Sequence, residues 1–346
     1  MKNKSVNLAP ELSSVFERYK AKGEEAYKKY GIHHLSKSSM DNLLDCSEKF
    51  VLKSRFYSPG KALILGSAIH DVQEDISSQV SSAIMGSFGK KFTLSKYETL
   101  YPEALEDVLS DFDLAALFMK EVTYALKGVR ESGKEVILPV PYHEFKADIY
   151  GTAETITKSL RKDHLRDMLK YPVLNCELRT VYLSDKLEIP YDGYLDLLVI
   201  DKGKLRVEDL KTTFSQNNYV WDSLLSVFQL WLYAQALVQM GYCSALPRGG
   251  ITRLVIDTKP RAKVKPSVFD VTVERKILDD LSVYDRRFRK LLSNMEEYVK
   301  AGVAFNSMPT YGCKKCGYEK VCTKKYYPDW KVQAEETAEG GEDDKS

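Results

Sequence analysis

The sequence predicts an α/β domain in which a mixed central sheet is flanked by helices. Residues before about 175 follow mostly helical patterns, and short β-branched or alternating runs begin at Cys176. A long apolar segment over 222–242 interrupts these runs and predicts a buried helix. An amphipathic pattern over 276–302 predicts a further helix after the last strands. This order is typical of one sheet covered by helices.

Composition predicts a folded chain with a substantial core. The 346 residues are 44% hydrophobic and 29% charged. The sequence contains no apolar run of roughly 20 residues, so we expect a soluble cytoplasmic protein without a membrane partner. The segment 335–346 holds six acidic residues and one lysine, which leaves the remaining chain with a net charge of +7. A basic body permits a polyanionic partner.

The pattern divides the chain into six segments. The first two are an N-terminal extension and a pair of helices that carry Cys46 and His70, the second helix starting near Gly66. A large helical insertion, a β-rich core, a C-terminal helix with a cysteine cluster, and an acidic tail expected to be disordered follow. In order, the segments are 1–35, 36–76, 77–175, 176–275, 276–330 and 331–346.

The stretch "LRVEDLKTT" places a carboxylate and an ammonium on one face of a strand. Strand alternation gives two sets, Leu205, Val207, Asp209 and Lys211 on one face and Arg206, Glu208 and Leu210 on the other. The "DKG" hairpin at 201–203 would pair this strand with "YDGYLDLLVID" and bring Asp196 to Asp209. Two neighbouring carboxylates favour a divalent cation such as Mg²⁺ or Mn²⁺.

Other acidic residues compete for these roles. An Asp–Lys pair two residues apart is by itself more often a surface salt bridge. Glu208 competes with Asp209 for the acidic role, and alternation favours Asp209 because it shares the face of Lys211. We interpret Asp192 and Asp201 as turn residues.

Four elements resemble the PD-(D/E)XK nuclease superfamily in its RecB-type branch. They are "GYLD", "VEDLK", "QLWLY" and an upstream histidine in "GSAIHDVQE". The matching residues, in order and spacing, are Gly193 and Asp196, Asp209 and Lys211, Gln229 and Tyr233, and His70. The resemblance implies a restriction-endonuclease-like core with a mixed central sheet.

The resemblance also implies roles for these residues. Metal ligands would be Asp196, Asp209, His70 and the backbone carbonyl of Leu210, and Lys211 would assist the attacking water. Gln229 and Tyr233 would orient DNA or the site. Glu177, at the start of the preceding strand, would face the same cleft, the alternative being a solvated glutamate.

The activity that this implies is metal-dependent DNA hydrolysis, most readily as an exonuclease on single strands or ends. A catalytically inactive DNA-binding or assembly subunit is the alternative, and a zinc-stabilised interaction protein is a third possibility. The basic run "SLRKDHLRDMLKY" would line a roofed cleft through Arg161, Lys162 and Arg166, or would be a solvated helix face.

Three cysteines lie close together as Cys313, Cys316 and Cys322. Their spacing alone fits either zinc or an iron–sulfur cluster. The RecB-type branch has a subgroup, including AddB-type and CRISPR-associated nucleases, in which one upstream cysteine and three downstream cysteines hold a 4Fe–4S cluster. Cys46 has the upstream position, so a cluster would join both ends of the domain.

Two further expectations concern the remaining cysteines and the partners. Cys176 and Cys243 are interpreted as buried apolar residues. The sequence contains no G-x-x-x-x-G-K-[ST] phosphate loop, so any helicase or recombination protein that takes part would be a separate chain.

Overall fold

A computed structural model gives the architecture of most of the chain. It describes residues 10–39, 42, 47–87, 93–183, 188–213, 224–257, 263–271, 316–318 and 321–322. The helix predicted over 276–302 and the tail from 331 onward lie outside the described residues.

Helices dominate the chain up to residue 168, and three strands, one helix and two further strands follow among the described residues, in the order that the sequence predicts. The helices are α1 Ser13–Tyr30, α2 Ser47–Arg55, α3 Lys61–Ser87, α4 Leu94–Asp111, α5 Leu114–Arg130, α6 Tyr142–Thr157, α7 Lys162–Met168 and α8 Leu224–Gln239. The strands are β1 Phe56–Tyr57, β2 Glu135–Val136, β3 Val173–Tyr182, β4 Tyr191–Asp201, β5 Lys204–Thr213, β6 Arg248–Asp257 and β7 Lys263–Val271. The α3 helix begins at Lys61, directly after Gly60 and about five residues earlier than predicted.

The main sheet is mixed and has the strand order β3-β4-β5-β6-β7. All neighbouring strands are antiparallel except β5 and β6, which are parallel and are joined by the crossover helix α8. The predicted hairpin joins β4 to β5, with positive φ angles at Lys202 and Gly203 as a two-residue turn of this kind requires. The α/β class with a mixed sheet is therefore confirmed.

Each face of the sheet buries a separate hydrophobic core. On one face α3 to α7 pack against the sheet through residues such as Ile69, Val199 and Leu210. On the other face α8 packs around Val207 and Leu237, and residues of α1 belong to the same core cluster. The helices of segment 77–175 thus complete a core of the sheet. Among the described residues, no helix is both long and apolar enough to cross a bilayer.

Asp192 was expected in a turn, and this prediction is wrong. It lies inside β4, where its carboxylate accepts hydrogen bonds from Arg179 Nη2 at 2.7 Å and from the Tyr19 hydroxyl at 2.6 Å. These partners compensate the free-energy cost of burying the carboxylate, and the Arg179 guanidinium helps to hold its pKa below the usual value despite burial. The contact also fastens α1 to the sheet.

Glu208 faces away from Asp209, as strand alternation predicts. Its carboxylate is buried against the guanidinium of Arg206 and accepts a hydrogen bond from Thr252 Oγ1 at 3.2 Å. Gly250 on β6 makes room for this pair, because a Cβ there would lie 1.9 Å from Arg206 Nη2. Glu208 therefore belongs to a structural ion pair.

Removing one partner of this buried pair should destabilise the fold. Glu208→Ala removes the nearest carboxylate from the Arg206 guanidinium and leaves Asp201 Oδ2, at 3.9 Å, as a weaker ionic partner. Breaking a buried ion pair in this way typically costs about 3–5 kcal/mol of unfolding free energy. The double variant Arg206→Leu/Glu208→Leu removes both charges and should recover most of that loss. Urea denaturation measures both, and a double variant no more stable than the single one would contradict this account.

Candidate active site

The candidate site lies where β4 and β5 separate. Their ladder runs from Asp201–Lys204 to Leu197–Glu208 and pairs no residues beyond it. At the next position Asp196 Oδ2 accepts a hydrogen bond from the backbone N–H of Leu210 at 2.6 Å. A side chain thus continues the connection between the strands and holds the Asp196 carboxylate at the point of divergence.

Three potential metal ligands converge beside this junction. His70 on α3, Glu177 on β3 and Asp196 on β4 each offer a ligand atom, and these atoms lie within 4.8 Å of one another. The register explains why two strands contribute, because Glu177 and Asp196 occupy the positions between the pairs Cys176–Leu197 and Leu178–Leu195. Carboxylate groups are suitable ligands for Mg²⁺ and Mn²⁺, and imidazole is a common ligand of divalent transition metals.

Glu177 has a left-handed backbone conformation, with φ of 48°. A residue with a Cβ adopts this conformation at some cost in conformational free energy, and such strain concentrates at functional sites. The sequence gives no sign of this conformation, because glycine or asparagine would be the usual residue there.

The pKa shifts of these donors fit a site for a cation. Burial and the nearby Asp209 raise the pKa of Asp196 well above its usual value. Burial raises the pKa of Glu177, and Glu74 and Asp71 add to the effect. Burial and the Lys211 ammonium lower the pKa of His70, which keeps its imidazole neutral and able to bind a metal. The residues present therefore fit a divalent metal ion.

Asp209 and Lys211 form an ion pair next to these donors. Lys211 Nζ lies 2.7 Å from both carboxylate oxygens of Asp209, with hydrogen-bond geometry to Oδ1, and Asp209 is fully buried. Their shared face is confirmed. Both charges are close enough to His70 to influence its pKa, and His70 also hydrogen-bonds to the backbone of Leu210. The sequence analysis named Asp209 as a metal ligand together with His70 and Asp196. In the structure the third residue of the converging group is Glu177.

Gln229 and Tyr233 on α8 act on the backbone of β4. Gln229 Nε2 donates to the Tyr233 hydroxyl at 2.8 Å, and that hydroxyl donates to the carbonyl oxygen of Tyr194 at 2.6 Å. Both side chains are buried. The pair thus fixes the β4 backbone two residues before Asp196.

Tyr191 is a neighbour of the site that the sequence analysis did not identify. Its ring is buried, packs edge-on against Tyr233 at a centroid distance of 6.3 Å, and covers Gly193. A Cβ on Gly193 would lie 2.5 Å from the Tyr191 hydroxyl and 2.9 Å from Cζ. The available signal was the spacing, since an aromatic residue two positions from a glycine shares its face of a strand.

The basic run on α7 is occupied by internal contacts. Arg166 pairs with Glu106 and Asp163, and Lys162 Nζ donates to the carbonyl oxygen of Ser110 at 3.0 Å. These contacts favour the solvated helix face over a positively charged cleft lining.

Two of the four candidate cluster cysteines fall within the described residues. Cys316 and Cys322 are half-buried and flank a short turn that contacts the segment after β1. In that turn a Cβ on Gly317 would lie 2.3 Å from Ser58 Oγ, and Tyr318 hydrogen-bonds to the backbone of Ser58. Cys46 and Cys313 lie outside the described residues.

The remaining two cysteines are both half-buried. Burial raises the pKa of Cys176 to about 12 and also raises that of Cys243. Such thiols are poor nucleophiles and poor metal ligands, because the thiolate form is disfavoured.

A comparison with protein families decides the identity of the fold. The family model described as "PD-(D/E)XK nuclease superfamily" matches residues 34–323, which is most of the chain. The chain belongs to the PD-(D/E)XK nuclease superfamily. Nucleases of this superfamily typically use divalent metal ions such as Mg²⁺. A search of curated proteins finds no significant match.

Two solved structures are similar to this PD-(D/E)XK chain at low identity. One, a protein from Eubacterium rectale described as a "putative exonuclease", is 13% identical, with a TM-score of 0.30, over 66% of this chain and 84% of that one. The other, SSO0001, is 12% identical, with a TM-score of 0.26, over 74% of this chain and 97% of that one.

Substituting Gly193 should disturb the site through Tyr191. In Gly193→Ala the new methyl group displaces the Tyr191 ring, and overpacking of this kind costs about 1–3 kcal/mol of unfolding free energy. Thermal unfolding measures the loss. Adding Tyr191→Leu should restore part of it, whereas Gly151→Ala, in open space on α6, should cost nothing. If Tyr191→Leu gives no recovery, the proposed clash is wrong.

Proposed function

We propose that this protein is a metal-dependent deoxyribonuclease that hydrolyses phosphodiester bonds at the junction of β4 and β5. The observation that carries the proposal is the convergence of His70, Glu177 and Asp196 beside the Asp209–Lys211 pair. Membership of a nuclease superfamily supports this reading.

The donors would hold Mg²⁺ or Mn²⁺ through His70, Glu177 and Asp196, with Asp209 and the Leu210 carbonyl as further expected ligands. When bound, a divalent cation polarises a phosphoryl oxygen and lowers the pKa of bound water. The anionic carboxylates, which burial and mutual repulsion disfavour, become stable in its presence.

Lys211 would act on the phosphate and on the attacking water. Its Nζ is held by both oxygens of Asp209, so the ammonium has a fixed position before substrate arrives. A fixed cation stabilises negative charge that develops on the phosphate without reorganising first. Gln229 and Tyr233 would hold β4, and therefore Asp196, in a fixed position relative to the Lys211 ammonium.

We further propose single-stranded DNA with a free end as the substrate, and repair, recombination or replication as the setting. A separate helicase or recombination protein would then supply unwound strands. The superfamily favours DNA as the polymer. The exonuclease assignment rests on the resemblance to the RecB-type branch.

A 4Fe–4S cluster on Cys46, Cys313, Cys316 and Cys322 is the second cofactor that we propose. The contact of Gly317 and Tyr318 with Ser58 supports it, because Ser58 follows α2 and α2 begins directly after Cys46. Four thiolates are a suitable ligand set for such a cluster. It would tie the C-terminal cysteines to the start of the domain.

Removing the Lys211 ammonium should abolish cleavage without unfolding the protein. Lys211→Ala and Asp196→Asn are each expected to lower the rate on labelled DNA with Mg²⁺ or Mn²⁺ by roughly 100-fold or more. Lys204→Ala, an exposed lysine on the same strand, is the matched control. EDTA should stop the wild-type reaction. Full activity of Lys211→Ala, with unchanged circular dichroism, would refute the assignment.

The cluster should give anaerobically purified protein a brown colour with broad visible absorption. Cys46→Ser should bleach it and lower the melting temperature, because the cluster would join two distant parts of the chain. Cys176→Ser should keep the colour, because that thiol lies outside the proposed ligand set. Colourless wild-type protein containing stoichiometric zinc would exclude iron–sulfur.

Cleavage should depend on a strand end. A linear single strand and the same sequence closed into a circle, each labelled internally, compare the two modes directly. The linear strand should be degraded and the circle should persist, because an exonuclease needs a terminus to enter the site. Equal rates on both would identify an endonuclease and leave the metal chemistry intact.

A further inference from the structure

Tyr194 is the one exposed residue of β4, all eleven residues of which are described. The residue is 54% accessible to solvent, although its strand lies near the centre of the fold. Its backbone is fixed, because its carbonyl oxygen accepts the hydrogen bond from Tyr233 at 2.6 Å. Tyr194 therefore presents an aromatic ring to solvent from a backbone position that is held in place.

Alternation along β4 places this ring on the face of the metal donors. Tyr191 and Leu195 belong to the core under α8, and Gly193 lies beneath the Tyr191 ring, so these three residues share one face. Tyr194 and Asp196 take the opposite face, about 7 Å apart along the strand. Tyr194 therefore lies two residues along β4 from Asp196, which is one of the proposed metal ligands.

Arg179 stands directly opposite Tyr194 on β3. Side chains that face each other across antiparallel strands are neighbours, so Arg179 is the cross-strand neighbour of Tyr194. That guanidinium is held by two hydrogen bonds to Asp192 and lies over the ring of Phe16 at 5.3 Å. Its charge is largely paired within the protein, so stacking by Tyr194, more than ionic attraction, would dominate contact with a ligand here.

We propose that Tyr194 is the platform on which an unpaired base of single-stranded DNA stacks while its phosphate lies at the metal donors. The inference rests on the proposed function and specifies the substrate of that site. A flat aromatic face binds any base, whereas the bases of a duplex are covered by their neighbours and cannot reach it. The platform thus explains selectivity for single strands without reading the sequence.

Binding measured without cleavage tests the platform. In EDTA, fluorescence anisotropy with a labelled single strand gives Kd for full-length wild type, Tyr194→Ala and Tyr194→Phe. Loss of one base–aromatic stack should weaken binding roughly tenfold for Tyr194→Ala. Tyr194→Phe should bind like wild type, because the ring remains. Tyr124→Ala is the matched control, because Tyr124 on α5 is exposed to a similar degree.

An abasic scan locates the stacked base. One base at a time is replaced by an abasic residue, and the wild-type protein should lose affinity at one or two adjacent positions. Tyr194→Ala should lose nothing further at those positions, because the stacking partner is already absent. Loss of the same size in both proteins at every position would refute the platform.

Several outcomes separate this inference from the proposed function. If wild type binds single strands but cuts nothing with Mg²⁺ or Mn²⁺, hydrolysis fails, and the platform still stands on the Tyr194 effect. If wild type cuts DNA while Tyr194→Ala keeps its Kd, the platform alone fails. Equal loss in Tyr194→Phe would assign the contact to the hydroxyl and overturn stacking. Equal loss on duplex DNA, or no binding of single strands by wild type, would also overturn the inference.

Discussion

The site depends on one hydrogen bond, from the Leu210 N–H to Asp196 Oδ2 at 2.6 Å. It forms where the β4–β5 ladder ends. The two strands diverge there, but this bond keeps Asp196 of β4 close to Leu210 of β5. Without it the backbone N–H of Leu210 would lack a strand partner at this position. A hydrogen bond from an N–H to a carboxylate is charge-assisted and therefore strong. The carboxylate keeps other acceptor positions for a metal, which makes the same bond both structural and functional.

The second constraint is the packing of tyrosines against this junction. Tyr191 requires a glycine at 193, and Tyr233 holds the carbonyl of Tyr194, so β4 is fixed from the α8 side. Rigid support from one face lets the opposite face carry strained and charged groups, including Glu177 with its positive φ. Up to Asp196, alternation along β4 therefore directs Tyr191 and Leu195 into the core under α8 and leaves Tyr194 and Asp196 for the opposite face.

Alternation along β5 places the neighbouring carboxylates of Glu208 and Asp209 on opposite faces of the strand. Glu208 is neutralised by Arg206 within the core, while Asp209 and Lys211 face the site. Without the Arg206 partner, a second carboxylate next to Asp209 would add to the repulsion that already raises the pKa of Asp196. The fold thus leaves the negative charges of Asp196 and Asp209 where a cation can compensate them.

The sequence by itself determined the α/β class, the hairpin and the opposite faces of Glu208 and Asp209, because periods of 2 and 3.6 residues are local properties. It also indicated His70, Glu177 and Asp196 as candidates. Only the tertiary structure decided that these three converge, that Arg179 pairs with Asp192, and that Arg166 is occupied by Glu106 and Asp163. Each of these depends on contacts between segments distant in the chain, which strand register and helix packing fix and which no local pattern encodes.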